Sequence, residues 1–139
     1  MGFINWWQNN TEPSDSQLSL LDNSQSLSKA ERVDAATVNC DFTQAIQDAG
    51  GSHRAYAKAI RAETQELFDC SVDELYEATG GKKGDRSTLP KEAQKAYMVS
   101  ETLATHQLRD TRTPNTSPDT HIVKTVAKTA QQVRHWLPW

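Results

Sequence analysis

Two glycine-rich breaks divide the middle of this chain of 139 residues. Five of its six glycines lie in these breaks, at Gly50, Gly51, Gly80, Gly81 and Gly84. Glycine ends helices readily because it adopts the left-handed conformation at little steric cost. The stretches around the breaks carry apolar residues at helical spacing, and none shows the alternation of a β-strand. The chain is therefore predicted to be all-α.

Serines at helix-capping positions set the starts of several helices. Ser28 precedes Glu31 and Ser71 precedes Glu74 at capping-box spacing, in which each side chain satisfies the other residue's amide. Helices are predicted over 29–37 and 41–49, from Ser52 to about 68, from Ser71 to Gly80, from Pro90 to about 109, and over 121–137. The expected fold is a small bundle of four to five short helices, followed by a separate C-terminal amphipathic helix.

Composition divides the chain into four segments. Residues 1–28 are polar and acidic with a tryptophan-rich start, and we expect them to form a flexible arm. Residues 29–110 form the predicted helical domain. Residues 111–120 contain Pro114 and Pro118 and are expected to be a linker, and residues 121–139 form a basic amphipathic helix.

Charge is distributed unevenly along the chain, although its net charge is only −3. Residues 1–51 carry two basic and seven acidic side chains, which gives −5, and residues 113–139 carry three basic and one acidic, which gives +2. The start lacks the pattern of a signal peptide, and no stretch is apolar enough to span a bilayer. Cys40 and Cys70 are isolated, as is usual for reduced cysteines. A cytoplasmic location is expected.

Residues of the types used in catalysis are scattered. His53, His106, His121 and His135 lie apart, and none stands at ligand spacing from a cysteine or an acidic residue. The pair Glu63 and Glu66 is interpreted as charges on a helix surface. A catalytic site needs a nucleophile, a base and an orienting group within reach of one another. We therefore expect no enzyme activity, no cofactor, no metal and no small-molecule substrate.

A basic stripe runs along the predicted helix 53–68. Arg54, Lys58 and Arg61 fall on one face, opposite an apolar stripe of Tyr56, Ile60 and Leu67. The loop after the predicted helix from Ser71 to Gly80 adds Lys82, Lys83 and Arg86, which extend this patch if the loop folds back. In the alternative interpretation, Asp85 and Arg86 close the loop by a local ion pair, and the stripe is a solvated helix surface.

The segment around the first glycine break resembles a helix-turn-helix of the repressor type. It has the order helix, Ala49-Gly50-x-Ser52 turn, helix. The resemblance implies that Ser52, His53, Arg54 and Lys58 lead into a DNA major groove. Two positions depart from the pattern, since Ile46 stands where a small residue is favoured and Gly51 where an apolar side chain is usual.

All four tryptophans lie at the two ends of the chain, and the last helix has a narrow apolar stripe beside them. The ends either dock on a partner protein, pack on the chain's own domain, or contact a membrane surface through the C-terminal helix. In the first case the partner-binding residues are Trp6, Trp7, Ile122, Val126, Val133, Trp136, Leu137 and Trp139.

These patterns favour a binding function. The first hypothesis is an adaptor, accessory subunit or regulator that docks into a larger protein complex through its terminal segments. The alternative is a helix-turn-helix-like DNA-binding regulator that uses the helix 53–68 to bind nucleic acid.

Overall fold

Six helices make up the described part of the chain. The computed structural model describes residues 2–10, 29–110 and 117–139, and these ranges contain no strand. The helices are α1 (Phe3–Asn10), α2 (Lys29–Asp48), α3 (His53–Phe68), α4 (Val72–Thr79), α5 (Lys91–Asp110) and α6 (Pro118–Arg134), with a short 3-10 turn at Arg86–Thr88. The all-α prediction is confirmed. None of the described helices is long and apolar enough to cross a membrane.

Helix α2 is continuous over 20 residues, whereas the sequence predicts separate helices over 29–37 and 41–49. That break was predicted wrongly, because neither glycine nor proline interrupts the backbone hydrogen bonds of this stretch. Asp41 is an exposed residue inside the helix and caps nothing. The core-facing side of α2 carries Phe42, Ala45 and Ile46.

Two other predicted boundaries change at the chain ends. Residues 3–10 form α1, although all of 1–28 was expected to be flexible. Helix α6 begins at Pro118, inside the predicted linker, because the Ser117 side chain accepts a hydrogen bond from the Thr120 amide and proline suits a first helical turn. The remaining parts of the predicted arm and linker, 11–28 and 111–116, lie outside the described residues.

The predicted caps of α3 and α4 are confirmed. The Ser52 hydroxyl accepts from the Ala55 amide, and the Ser71 hydroxyl accepts from the Glu74 amide. Gly80 ends α4 in the left-handed conformation, with φ at 72°. The local signals therefore fix where α3 and α4 begin and where α4 ends.

Helices α3 and α6 pack side by side in the same direction, and they form the most extensive helix pair. At their starts, the Ser52 amide and hydroxyl donate to the Asp119 carboxylate at 3.1 and 2.7 Å. At their far ends, Arg134 Nε and Trp139 Nε1 donate to the Leu67 carbonyl at 3.2 and 2.7 Å. Hydrogen bonds at both ends therefore fix the register of the pair.

Helix α5 connects this pair to α2. It packs against both α2 and α6. Along α2, Glu31 pairs with Lys95 at 3.1 Å and the Asn39 amide donates to Glu101 at 3.3 Å, so α2 and α5 also run in the same direction. The four long helices thus form one bundle, and α4 covers part of its side.

The apolar stripe of α6 lies in the protein's own core. Ile122 and Val126 are 0% exposed and Val133 is 1% exposed. They are covered by α3 and α5, through a set of mostly small residues that let the helices approach closely, namely Ala55, Ala59, Leu67, Ala96, Tyr97, Ala104 and Leu108. The expectation that this stripe is open to a partner is therefore corrected, since the chain itself covers it.

Replacing Val126 and Val133 together by aspartate should abolish cooperative folding. Each substitution places a carboxylate without a partner in an apolar core, which costs several kcal/mol, whereas a whole domain is stable by only about 5–15 kcal/mol. Thermal unfolding followed by circular dichroism measures the effect. The matched control, Lys124→Asp with Lys128→Asp, puts the same residues at exposed positions of the same helix and should melt near the wild type. A melt of the valine variant close to that control would contradict the packing of α6.

Candidate functional site

Helices α3 and α6 carry exposed cations but no exposed acidic side chain. Every exposed lysine, arginine, aspartate or glutamate on α3 and α6 is a cation. We call this surface the basic face, and it consists of Arg54, Lys58, Arg61, Lys124 and Lys128. None of these five forms an ion pair with another residue of the described ranges. Their charge is therefore available to an anionic partner.

The acidic side chains of α3 and α6 are buried, half-buried or held by hydrogen bonds. Glu63 is fully buried and Glu66 is half-buried. Asp119 accepts two hydrogen bonds from Ser52, which lower the pKa of its carboxyl group, with a smaller contribution from the charge of Lys58. The lowered pKa keeps Asp119 ionised near Lys58, and the five cations of the basic face outnumber this carboxylate.

The parallel register places the cations of the two helices at similar levels along the pair. Ser52 bonds to Asp119 and Leu67 to Arg134, and each pair is separated by 67 residues in sequence. Lys58 therefore lies level with the part of α6 that follows Lys124. The sequence predicted a basic stripe on α3 and, separately, a basic amphipathic C-terminal helix, and the structure packs the two helices together.

The remaining residues predicted to bind nucleic acid are placed differently. Ser52 is engaged by Asp119, while His53 is exposed at the start of α3. Lys82 and Lys83 are exposed on the loop after α4, and Lys83 forms an ion pair with Asp73. His53, Lys82 and Lys83 are thus exposed to solvent. The Ser52 hydroxyl already donates to Asp119 and cannot also donate to a DNA base.

Arg86 does not extend the basic face and does not pair with Asp85. The Asp85 carboxylate accepts from the Ser87 amide at 3.1 Å and from the Ser87 hydroxyl at 2.5 Å, which lowers the pKa of Asp85. The loop is thus closed by a turn of its own. The predicted ion pair between Asp85 and Arg86 was wrong, because a buried carboxylate holds the guanidinium instead.

The helix-turn-helix resemblance reproduces the order of elements but not an isolated recognition helix. An α-helix with side chains is about 10–12 Å across, and the DNA major groove is about 12 Å wide. Helix α6 lies along α3, and the groove admits one helix, so the two helices cannot enter it together. Gly51 serves the same packing, since a Cβ there would lie 2.7 Å from the side chains of Ile46 and Ile122.

Aromatic rings from both ends of the chain meet at one end of the bundle. Trp139 lies 4.6 Å from Phe3, 5.1 Å from Trp6 and 5.8 Å from Phe68, measured between ring centroids. Phe68 also packs edge-on against Tyr97 at 5.2 Å. We call these five residues the aromatic cluster. It joins α1, the end of α3, α5 and the C-terminal segment, so both chain ends belong to the fold.

The eight residues predicted to bind a partner therefore divide into two groups. Seven of them are buried or half-buried against the chain itself, namely Trp6, Trp7, Ile122, Val126, Val133, Leu137 and Trp139. Trp136 is 70% exposed. It lies two residues after the end of α6, between exposed His135 and half-buried Leu137.

A buried polar cluster that the sequence did not predict lies between α3 and α5. Arg86 Nη1 donates to Glu101 Oε1 at 2.9 Å, and Arg86 Nη2 lies 2.7 Å from Glu101 Oε2. The guanidinium also lies 4.1 Å above the centre of the Tyr97 ring, whose hydroxyl shares a hydrogen bond of 2.6 Å with Thr64. We call Glu63, Thr64, Arg86, Tyr97 and Glu101 the buried polar cluster.

Glu63 is the member of this cluster without a charge partner. Its side chain is 0% exposed, and neither carboxyl oxygen accepts a well-formed hydrogen bond from the described residues. Burial, and then the charge of Glu101, raise the pKa of Glu63 well above its ordinary value, against the opposing effect of Arg86. Burial alone would lower the pKa of Arg86, but the carboxylate of Glu101 outweighs that effect and raises it.

Helical spacing contains the signal that places both glutamates in the core. Glu63 continues the stripe of Tyr56, Ile60 and Leu67, which had been assigned to the buried face without it. Glu101 stands in the same way between Tyr97, Ala104 and Leu108. The interpretation of Glu63 as a surface charge was wrong. It relied on the usual exposure of glutamate and not on the position of Glu63 on the buried side of α3.

Reactive and metal-binding groups are sparse in the described ranges. Cys70 is buried, and burial raises the pKa of its thiol to about 11, so little thiolate forms near neutral pH. Within these ranges, no three histidine, cysteine or carboxylate side chains lie close enough together to bind one metal ion. The candidate functional features of the described residues are therefore the basic face and the exposed side chain of Trp136.

Replacing Arg86 by alanine should destabilise the protein by about 3–5 kcal/mol, because it leaves Glu101 buried without its counter-ion. Urea denaturation at pH 7 measures the loss. The matched control is Lys83→Ala in the same loop, whose ion pair with Asp73 is largely exposed and should contribute little. Equal stability of the two variants would contradict the buried ion pair.

Comparison with known proteins gives no relative for this arrangement. No protein-family model, no curated protein and no solved structure matches the chain. The function must therefore be inferred from the geometry of the chain's own residues.

Proposed function

We propose that this protein is a non-catalytic binding protein whose basic face contacts the phosphate backbone of a nucleic acid. One observation carries the proposal: the exposed charges of the two packed helices α3 and α6 are all cations, and none of the five forms an ion pair with another residue of the described ranges. Phosphate contacts of this kind provide affinity through the release of counter-ions. The basic face has the composition that such contacts require.

The shape of the basic face favours backbone contact over reading of base sequence. Helices α3 and α6 have 16 and 17 residues, so each is roughly 25 Å long at 1.5 Å per residue. A surface made of two parallel helices can lie across phosphates, but it is too wide for the major groove. Binding is therefore expected to depend on salt and to depend little on base sequence.

Reversing two charges of the basic face should abolish binding to duplex DNA. The variant is Arg54→Glu with Lys58→Glu, and both side chains are exposed, so the fold should be retained. Fluorescence anisotropy with a labelled duplex measures affinity between 50 and 200 mM salt. If all five cations contact phosphates, the slope of log K against log salt approaches about −4.5.

A matched control separates a specific surface from total charge. Lys29→Glu with Arg109→Glu changes the net charge equally at exposed positions of α2 and α5. This control should retain most of the binding. No binding of the wild type at 50 mM salt, or an equal loss in both variants, would contradict the proposal.

A second candidate function is docking to a protein partner through Trp136. Tryptophan is enriched among the residues that dominate binding energy at interfaces, and this side chain is 70% exposed while the other large rings at the chain ends pack on the fold. Of the eight residues that the adaptor hypothesis assigns to partner binding, Trp136 is therefore the one whose side chain is exposed.

Trp136→Ser should abolish binding of a protein partner. The melting temperature of the free protein should stay nearly unchanged, since the Trp136 side chain covers little of the core. Affinity isolation with the wild type, the variant and Val99→Ser measures this. Val99 is a second exposed apolar residue, 43% exposed on α5, and serves as the control. Capture of the same proteins by all three would argue against docking at Trp136.

A further inference from the structure

A cleft of about 590 Å³ lies between α3, α4 and the loop after α4. On its α3 side it is lined by Tyr56, Ala57, Ile60 and Arg61. Arg61 is also one of the five cations of the basic face, so the cleft adjoins that face. The volume falls within the range of about 300–1,000 Å³ that is usual for small-molecule sites. A ligand held by Arg61 can therefore extend from the basic face into the cleft.

Two tyrosines from different helices line this cleft. Tyr56 of α3 is half-buried, and Tyr76 of α4 is 6% exposed. The apolar side chains of Ile60 and Val72 belong to the same lining, and both are half-buried. Aromatic and branched side chains together favour a flat, unsaturated ligand, because such a ligand can pack against the rings.

The Tyr76 hydroxyl is a polar group that the fold leaves without a partner. The hydroxyl of Tyr97 shares a hydrogen bond with Thr64, whereas no residue of the described ranges forms a hydrogen bond with the hydroxyl of Tyr76. Burial, the largest cause, raises the pKa of Tyr76, so the hydroxyl keeps its proton at neutral pH. This hydroxyl is therefore available to a ligand in the cleft.

Cations outnumber acidic side chains in the lining of the cleft. Arg61, Lys83 and Arg86 contribute to it, and Asp73 is its one acidic residue within the described ranges. Lys83 pairs with Asp73 at 2.5 Å. Arg86 pairs with Glu101 at 2.7 Å. Arg61 forms no such pair and is exposed, so it is the cation that remains for an anionic group at the edge of the cleft.

We propose that the cleft binds an unstacked base of a single-stranded nucleic acid, with Arg61 on the phosphate of that nucleotide and Tyr56 and Tyr76 on its base. Because Arg61 belongs to the basic face, this site rests on the function proposed above. Proteins that bind single strands combine cations along the backbone with aromatic side chains on which bases stack. A duplex keeps its bases paired and stacked, so the cleft adds affinity for single strands only.

Fluorescence anisotropy with two labelled strands of equal length tests the cleft. One strand carries thymine bases and the other is abasic throughout, so both have the same number of phosphates. The strand with bases should bind about 5- to 150-fold more tightly, which is the range for stacking of one base. Equal affinity would overturn the base site and leave the basic face as a phosphate-binding surface. No binding of either strand or of duplex DNA at low salt would contradict both proposals.

Substitutions locate the part of the affinity that depends on bases. Ala57→Phe fills the cleft with a ring and should lower the affinity for the thymine strand to that for the abasic strand. The matched control, Ala30→Phe, adds the same ring at an exposed position of α2 outside the cleft and should keep the difference. A difference that survives Ala57→Phe, or that is lost in Trp136→Ser, would overturn the proposal.

Thymidine 5′-monophosphate separates a strand from a free nucleotide. It offers one base and one phosphate, whereas a strand also reaches the other cations of the basic face. The strand should therefore bind more tightly by roughly tenfold or more. Equal affinity would assign the cleft to a free nucleotide and overturn the proposal.

A measurement on the wild type covers the case in which Ala57→Phe does not fold. The chain has three tyrosines, Tyr56, Tyr76 and Tyr97, and NMR of protein labelled with carbon-13 in the tyrosine rings observes all of them. The thymine strand at saturation should shift the resonances of Tyr56 and Tyr76 and leave those of buried Tyr97 nearly unchanged. Unshifted resonances of both Tyr56 and Tyr76 would overturn the proposal.

Discussion

Helices α3 and α6 pack in parallel along their whole length, and this contact positions most of the other features of the fold. It is fastened at one end by Ser52 with Asp119 and at the other by Leu67 with Arg134 and Trp139. Between these ends, alanines on α3 allow the valine and isoleucine side chains of α6 to reach the core. Without this contact, the basic face would shrink to one helix and the aromatic cluster would lose Trp139.

The same contact explains why large rings lie at the ends of the chain. Phe3 is 0% exposed and touches Trp139, so the first helix and the last residues close one end of the bundle together. Gly2 assists, because a Cβ there would lie 2.9 Å from the carbonyl oxygen of Phe68. Trp136 does not take part in this closure, and its exposure therefore calls for a different explanation.

Local signals in the sequence predicted most of the helices, and contacts between distant residues explain what was missed. Ser52, Ser71 and Gly80 act on neighbouring amides and carbonyls, so their roles can be recognised within a few residues of sequence. The burial of Glu63 depends on Arg86 and Glu101, which come from other elements. The cations of α3 were predicted, but their combination with those of α6 required the register between two helices that are distant in sequence.

Hydrogen exchange of the backbone amides in the free protein measures whether α6 belongs to the core. The central amides of α6, around Val126 and Ala130, should exchange as slowly as those of α3, because one cooperative unfolding event exposes both helices. Rapid exchange throughout α6, with α3 and α5 still protected, would show that the last helix is not part of the core. The basic face and the aromatic cluster would then not exist as described.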